Sequence, residues 1–301
     1  MSAKTKHNKT YRALLAVAIV AGIIDFALLI AFFLSGQNIA ILNPKGLIAQ
    51  EQLALLQLTV IILFVIAIPA LGSLFFIAWK YRESNSKSNH DLNAKTSKKV
   101  VFAMWAVPTS FILVLASIMW PATHRLVPQD TIASDKQPLT IQVVSMNWKW
   151  LFLYPEQNIA TVNFVQIPVD RPITFEMTAD ESPMSSFWIP NLGGQLYTMT
   201  THVNRLNLMA HEAGDYPGSS AEINGEGFAG MRFIARASSE ADFEQWVASV
   251  QQGDSELDVV GYDQMLVPSE NEPVALYASY ETNLFDRVIA KYWGSHGGHA
   301  H

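Results

Sequence analysis

The sequence predicts a membrane-anchored chain: N-terminal transmembrane α-helices, then an all-β sandwich of two sheets, then C-terminal helices. Three observations carry this. Apolar residues, half of the 301, gather into three runs of spanning length within the first 120 positions. Lysine and arginine crowd the ends of those runs unevenly. After Pro121 the hydrophobic pattern changes to period two, in short segments parted by glycine and proline. The expected boundaries are 1–120 for the transmembrane region, 121–250 for the sandwich, and 251–301 for a helical extension with a histidine-containing tail.

Roughly 20 apolar residues cross a bilayer core. Ala13–Leu34, Leu53–Trp79 and Val100–Trp120 each meet that length. Lys4, Lys6, Lys9 and Arg12 precede the first run with no acid. The 80–99 loop holds Lys80, Arg82, Lys87, Lys95, Lys98 and Lys99 against Glu83 and Asp91, whereas the 35–52 connection holds only Lys45 and Glu51. Positive charge marks the cytoplasmic side, so the part after residue 120 is expected outside. That part carries 9 Lys and Arg against 22 Asp and Glu, a net of −13, while the whole chain is −6. Such an acidic surface suits ordinary solvation, or docking of a basic protein.

The first run is longer than the 7–15 apolar residues of a secretory signal. Leu34-Ser35-Gly36-Gln37 follows it, with glutamine where a lipoprotein signal has its acylated cysteine. Glutamine has no thiol to acylate, so the run is expected to stay as an uncleaved span. Asp25, mid-span, is costly in lipid and reads either as a proton-transfer group or as a protonated interface residue. Pro69 and Pro108 interrupt the other two spans. Trp79 and Trp120 are interfacial anchors. Ser84–Ser97 reads as a polar cytoplasmic loop.

Beyond Pro121, Leu139–Met146, Trp148–Tyr154, Thr161–Ile167, Ile173–Thr178, Arg205–Met209 and Met231–Ala237 are the expected strands, a pattern that indicates a two-sheet sandwich. Ser239 is placed to cap a helix with Phe243, Trp246, Val247 and Val250 on one face. Thr282 is placed to start another, carrying Leu284, Phe285, Val288, Ile289 and Tyr292. His296, His299 and His301 lie in a C-terminal tail that is expected to hold no physiological metal, since no rigid surroundings would orient the imidazoles.

Gly214–Met231 reads GDYPGSSAEINGEGFAGM. This stretch resembles the copper loop of subunit II of the haem–copper respiratory oxidases, with Gly214, Tyr216, Gly218, Glu222, Gly225 and Met231 on matching positions. The resemblance implies that the two cysteine positions are Ser220 and Asn224 and the histidine position Phe228. The upstream histidine falls on Ser185, in Ser185-Ser186-Phe187-Trp188-Ile189-Pro190. A two-copper electron-entry centre needs thiolates and imidazoles. Serine, asparagine and phenylalanine supply neither, and the chain has no cysteine at all. Glu222 and Met231 remain. Ser185, Ser220, Glu222, Asn224, Phe228 and Met231 are therefore expected to be vestigial metal positions on a cupredoxin-like scaffold, with no metal, cofactor or catalytic residue in this chain.

The wider match runs from about Leu34 to Trp246. Its further anchors are Asn43-Pro44-Lys45-Gly46, Ala78–Arg82, Val143–Trp150, Phe187–Leu192 and Phe243–Trp246. With the loop, they make the chain similar to subunit II of the bacterial cytochrome bo-type ubiquinol oxidases. That resemblance implies a non-catalytic subunit of a proton-pumping complex in the bacterial inner membrane, with its large domain periplasmic. Haems and one copper would sit in subunit I, which oxidises ubiquinol. Subunits I, III and IV and membrane lipid are the implied partners; nucleic acid and cytochrome c are not. Trp148 and Trp150 would pack the domain against the catalytic subunit. The alternatives are a copper-bearing cytochrome c oxidase subunit, which the ligand positions oppose, and a stand-alone copper-handling cupredoxin using His202, His211, Met209 and Met231.

Overall fold

The computed structural model describes residues 39–82, Asn85 and 97–293, with helical positions at Val17, Val20, Ile24, Ala27, Leu28 and Ala31. Those six apart, the expected span Ala13–Leu34 lies outside the described residues, as do Asp25, Gln37, most of Ser84–Ser97 and the tail histidines. Residues to Asn43 form one unit, whose described end is a short 3-10 turn at Ala40–Leu42. Everything from Pro44 onward forms the other.

Two helices open that second unit, α1 at Leu47–Lys80 and α2 at Lys98–Arg125, both long and apolar enough to cross a membrane. They overrun the expected spans Leu53–Trp79 and Val100–Trp120, chiefly at the ends next to the sandwich. At 1.5 Å per residue α1 is about 51 Å long, well beyond a hydrocarbon core of about 30 Å, so its first turns project. A helix start leaves backbone N–H groups without partners, and here the sandwich supplies acceptors. Leu47 N–H donates to Met209 O at 3.1 Å and Ala49 N–H to Leu192 O at 3.1 Å. Just before them, Lys45 N–H donates to Asn191 O at 2.7 Å, and Lys45 O accepts from His211 N–H at 2.9 Å. The approach is close enough that a Cβ on Gly46 would lie 2.7 Å from Met209 O, so only glycine fits. Glu51 and Arg125 pair at 3.0 Å, tying the two helices together at this end.

The sandwich has a six-stranded sheet built from β1 (Leu139–Met146), β2 (Lys149–Tyr154), β3 (Ile159–Val162), β5 (Ile173–Ala179), β8 (Asn204–Leu208) and β12 (Ala275–Tyr277), in the order β12-β3-β2-β1-β5-β8. A five-stranded sheet faces it, built from β4 (Phe164–Pro168), β6 (Ser185–Trp188), β7 (Leu196–Thr198), β9 (Gly214–Ser220) and β10 (Arg232–Ser238), in the order β4-β10-β9-β6-β7. Five of the six expected strands appear within a residue or two of their predicted bounds. The sixth, Thr161–Ile167, is two strands that lie in different sheets.

The switch is at Asn163, whose φ of +54° turns the chain out of one sheet and into the other. Its buried amide fixes the corner, accepting from Trp150 N–H at 2.9 Å and donating to Glu272 O at 2.8 Å. Asparagine tolerates this left-handed conformation better than most residues.

Both faces of the six-stranded sheet are covered. Trp150, Phe152 and Tyr154 of β2 enter the core between the sheets, where Phe187 and Phe233 stack at 5.0 Å. Leu151 and Leu153 point the other way, into a second core made by the C-terminal segment. That segment comprises β11 (Glu256–Leu257), α4 (Val259–Met265), β12, β13 (Ser279–Tyr280) and α5 (Leu284–Trp293). Residues 251–293 thus add strands as well as the expected helix, and β12 joins the sandwich directly by pairing with β3. Between sandwich and segment, α3 (Glu240–Gln251) is capped by Ser239, whose Oγ accepts from Asp242 N–H at 3.1 Å. It buries Phe243, Val247 and Val250 as its sequence pattern requires.

Candidate functional site

The six singled-out positions lie on β6, on the end of β9 and in the loop leading to β10. Ser185, Ser220, Asn224 and Met231, far apart in sequence, come together in the buried interior. Asn224 Nδ2 donates to Ser185 Oγ at 2.8 Å and lies 3.1 Å from Met231 Sδ. Ser185 Oγ in turn donates to Pro183 O at 3.3 Å. Ser220 Oγ donates to Glu222 O at 2.9 Å and accepts from Ser186 N–H at 3.4 Å, which ties the loop back to β6. Polar groups withdrawn from water must be paired, and this network does most of that pairing. Asn224 Oδ1 and Ser186 Oγ are buried without a partner among the described residues.

Two of the six side chains take no part in the network. Glu222 faces Tyr197 instead, and its carboxylate, by hydrogen bond and by charge, holds that phenol above its ordinary pKa. Phe228 is half-buried and closes a 3-10 turn, Glu226–Gly230, through its backbone. As a donor set, two hydroxyls, a carboxylate, an amide, a thioether and a phenyl ring suit a two-copper centre poorly, because they supply neither thiolate nor imidazole. The amide of Asn224 also spans the gap between Ser185 and Met231 in person, with its own hydrogen bonds.

The loop is clamped from above by Trp148. This residue closes the β1–β2 turn with a φ of +68°, an uncommon conformation for a bulky side chain. Its indole lies on the loop glycines: a Cβ on Gly227 would sit 2.4 Å from the ring and one on Gly225 3.0 Å from it. Trp148 Nε1–H reaches Asn224 O at 3.4 Å. Trp150 is fully buried between the sheets, so the expectation that it meets a catalytic subunit is corrected: its ring packs on Phe187 and Phe233 within this chain. Even its partly buried neighbour Trp148 spends one face on this chain's own glycines.

The residues weighed for copper handling are engaged singly. His211 Nδ1 lies 2.9 Å from Asp170 Oδ1, His202 Nδ1 2.9 Å from Thr201 Oγ1, and Met231 is sealed in the core. Among the described residues no three His, Cys, Asp or Glu side chains gather as a metal-binding group.

A second buried polar centre had no signal in the sequence reading. Asp180, 1% exposed, accepts from Tyr262 Oη at 2.6 Å, Tyr292 Oη at 2.6 Å and Lys291 Nζ at 2.9 Å. These three donors come from α4 and α5, so the carboxylate fastens the C-terminal segment to the end of β5. Burial, then the charge and hydrogen bond of Asp180, push the Tyr262 phenol far up. For Lys291, burial acts downward, but its hydrogen bonds to Glu181 and Asp180 outweigh it and the ammonium is held above its usual range.

Comparison with known proteins agrees with this architecture. Residues 251–296 match the family model described as the COX aromatic rich motif. The cytochrome bo(3) ubiquinol oxidase subunit 2 of Pseudomonas putida is 41% identical over 88% of this chain and 84% of its own length. The subunit of the same name in Pseudomonas aeruginosa is 39% identical over 90% of this chain and 83% of its own, and the ubiquinol oxidase subunit 2 of Acetobacter aceti is 38% identical over 87% and 85%. The membrane helices, the two-sheet domain, the loop and these likenesses together establish that the chain belongs to the family of bacterial ubiquinol oxidase subunit 2.

Proposed function

We propose that this chain is the metal-free second subunit of a proton-pumping ubiquinol oxidase in the bacterial inner membrane. Its sandwich stands on the periplasmic side, as the lysine and arginine distribution of the sequence favours. Haems and one copper belong to subunit I, where ubiquinol is oxidised. The present subunit braces subunit I with α1 and α2 and caps its outer face, alongside subunits III and IV. No electron passes through this chain, and cytochrome c is not a donor to the complex.

The observation that carries this reading is the hydrogen-bonded union of Ser185, Asn224 and Met231 at positions where a copper-bearing relative would need soft ligands. A copper-handling role is disfavoured by the separate engagement of His202 and His211. The test is substrate choice by the complex isolated through this subunit. Ubiquinol should be oxidised at a rate of at least about 1 s⁻¹, and reduced cytochrome c should be left untouched. Oxidation of cytochrome c with ubiquinol inert would overturn the reading.

A further inference from the structure

A cavity of about 290 Å³ lies where α1 and α2 meet the underside of the sandwich. Its walls are largely apolar, including Ile48, Val127 and Leu206; its charged groups are Glu51, Arg125 and Asp130, joined by the neutral polar Gln52, Thr131 and Asn207. The ceiling is fixed, because Asn207 N–H and Nδ2 both donate to Pro128 O, at 3.0 and 3.2 Å. Arg125 is held by Glu51 through Nε at 3.0 Å, which leaves its two terminal nitrogens for another acceptor. The carboxylates outnumber the guanidinium two to one.

The position along the membrane normal is as informative as the chemistry. Trp120, 72% exposed on α2, has the character of an interfacial anchor. Arg125 is five residues further on, about 7.5 Å beyond it along the helix axis. That is the level of lipid headgroups, and the faces that carry Arg125 and Glu51 continue into the membrane with exposed apolar residues, Val114 on α2 and Leu58 on α1.

From this juxtaposition we propose that the cavity is a headgroup site for a phospholipid with a primary ammonium, of the phosphatidylethanolamine class. The phosphate takes the free nitrogens of Arg125, for which a guanidinium fork is well suited. The ammonium donates to Glu51 and Asp130, and the acyl chains run down the apolar faces of α1 and α2. An anionic headgroup would meet two carboxylates with only one cation, and a choline headgroup has no N–H to donate. The proposal rests on the membrane placement of the subunit and not on its substrate, so the cytochrome c test above fails or succeeds independently.

The experiment uses the whole oxidase complex in nanodiscs, with photoactivatable phospholipids of identical chains bearing ethanolamine, glycerol or choline headgroups, and peptide mapping of the label. The ethanolamine lipid should label 47–52 and 125–133 about five-fold or more above the other two, a preference of about 1 kcal/mol. Arg125→Ala should lower that labelling by a similar factor with haem content unchanged, and Glu51→Gln should reduce the preference for ethanolamine. If Arg125→Ala does not assemble, Ile132→Trp, which fills the cavity and leaves the ion pair alone, should abolish the labelling instead. Equal labelling by all three lipids, or undiminished labelling in the assembled variant tested, would overturn the proposal.

Discussion

Asn224 and Ser185, 39 residues apart in the chain, are joined by a side-chain hydrogen bond of 2.8 Å at a point where both are buried. The bond couples β6 to the loop that precedes β10, and the same amide touches Met231 in the core. Asn224→Ala would leave Ser185 Oγ with one partner fewer and open a small void. The domain should lose about 1–3 kcal/mol of stability, while quinol oxidation by the assembled complex stays near the wild-type rate. Denaturant unfolding and turnover, measured on the same preparation, check both halves.

The convergence of these positions makes a gain of function testable. Ser185→His, Ser220→Cys, Asn224→Cys and Phe228→His, combined in one variant, should create a copper-binding loop with a visible charge-transfer spectrum, since thiolates and imidazoles then join Met231. A folded quadruple variant that takes up no copper from a titration would show that the positions are not placed as the hydrogen bonds suggest.

Gly227→Ala drives a methyl group to within 2.4 Å of the Trp148 ring, with no flexible chain end to move aside. A cost of about 1–3 kcal/mol is expected from the overpacking. Adding Trp148→Leu should recover part of it, a coupling that a double-mutant cycle would read directly.

Asp180 is the most deeply buried carboxylate of the C-terminal junction, and its loss leaves the buried Tyr262 phenol without its acceptor, while Lys291 and Tyr292 keep their bonds to Glu181. Asp180→Ala should cost about 1–3 kcal/mol and expose 251–293 to protease ahead of the sandwich. The junction also has a pH signature. Folding raises the pKa of both Tyr262 and Lys291. The folded state therefore binds their protons more tightly than the unfolded chain, and the stabilisation is complete below the unfolded values of about 10. It is lost as pH rises above them. Protease sensitivity of this segment should stay flat from pH 6 to about 9 and climb above about 10; a climb below pH 8 would contradict the assignment.

The strands with clean alternation, such as β1 and β5, were legible in the sequence, and so was the Ser239 cap of α3. β6, β7 and β9 were not. They are short, and Ser185, Ser186, Gly214 and Gly218 give them no hydrophobic period, because part of what they bury is a polar network. The break at Asn163 was hidden by an apolar run that continues through it. The covering role of the C-terminal segment does have a signal in the sequence. Trp150–Tyr154 is apolar at every position, and a strand buried on both faces reads that way; something had to cover Leu151 and Leu153. The approach of the site residues was legible only through family resemblance, since hydrogen bonds between distant serines and asparagines leave no period in a sequence.

The most direct test of the account is the copper-to-haem ratio of the purified complex, with any tail-bound metal first removed by chelation. A metal-free second subunit predicts one copper for every two haems, all of it in the partner subunit, and no near-infrared band of a mixed-valence copper pair. Three coppers for every two haems, with that band present, would contradict it.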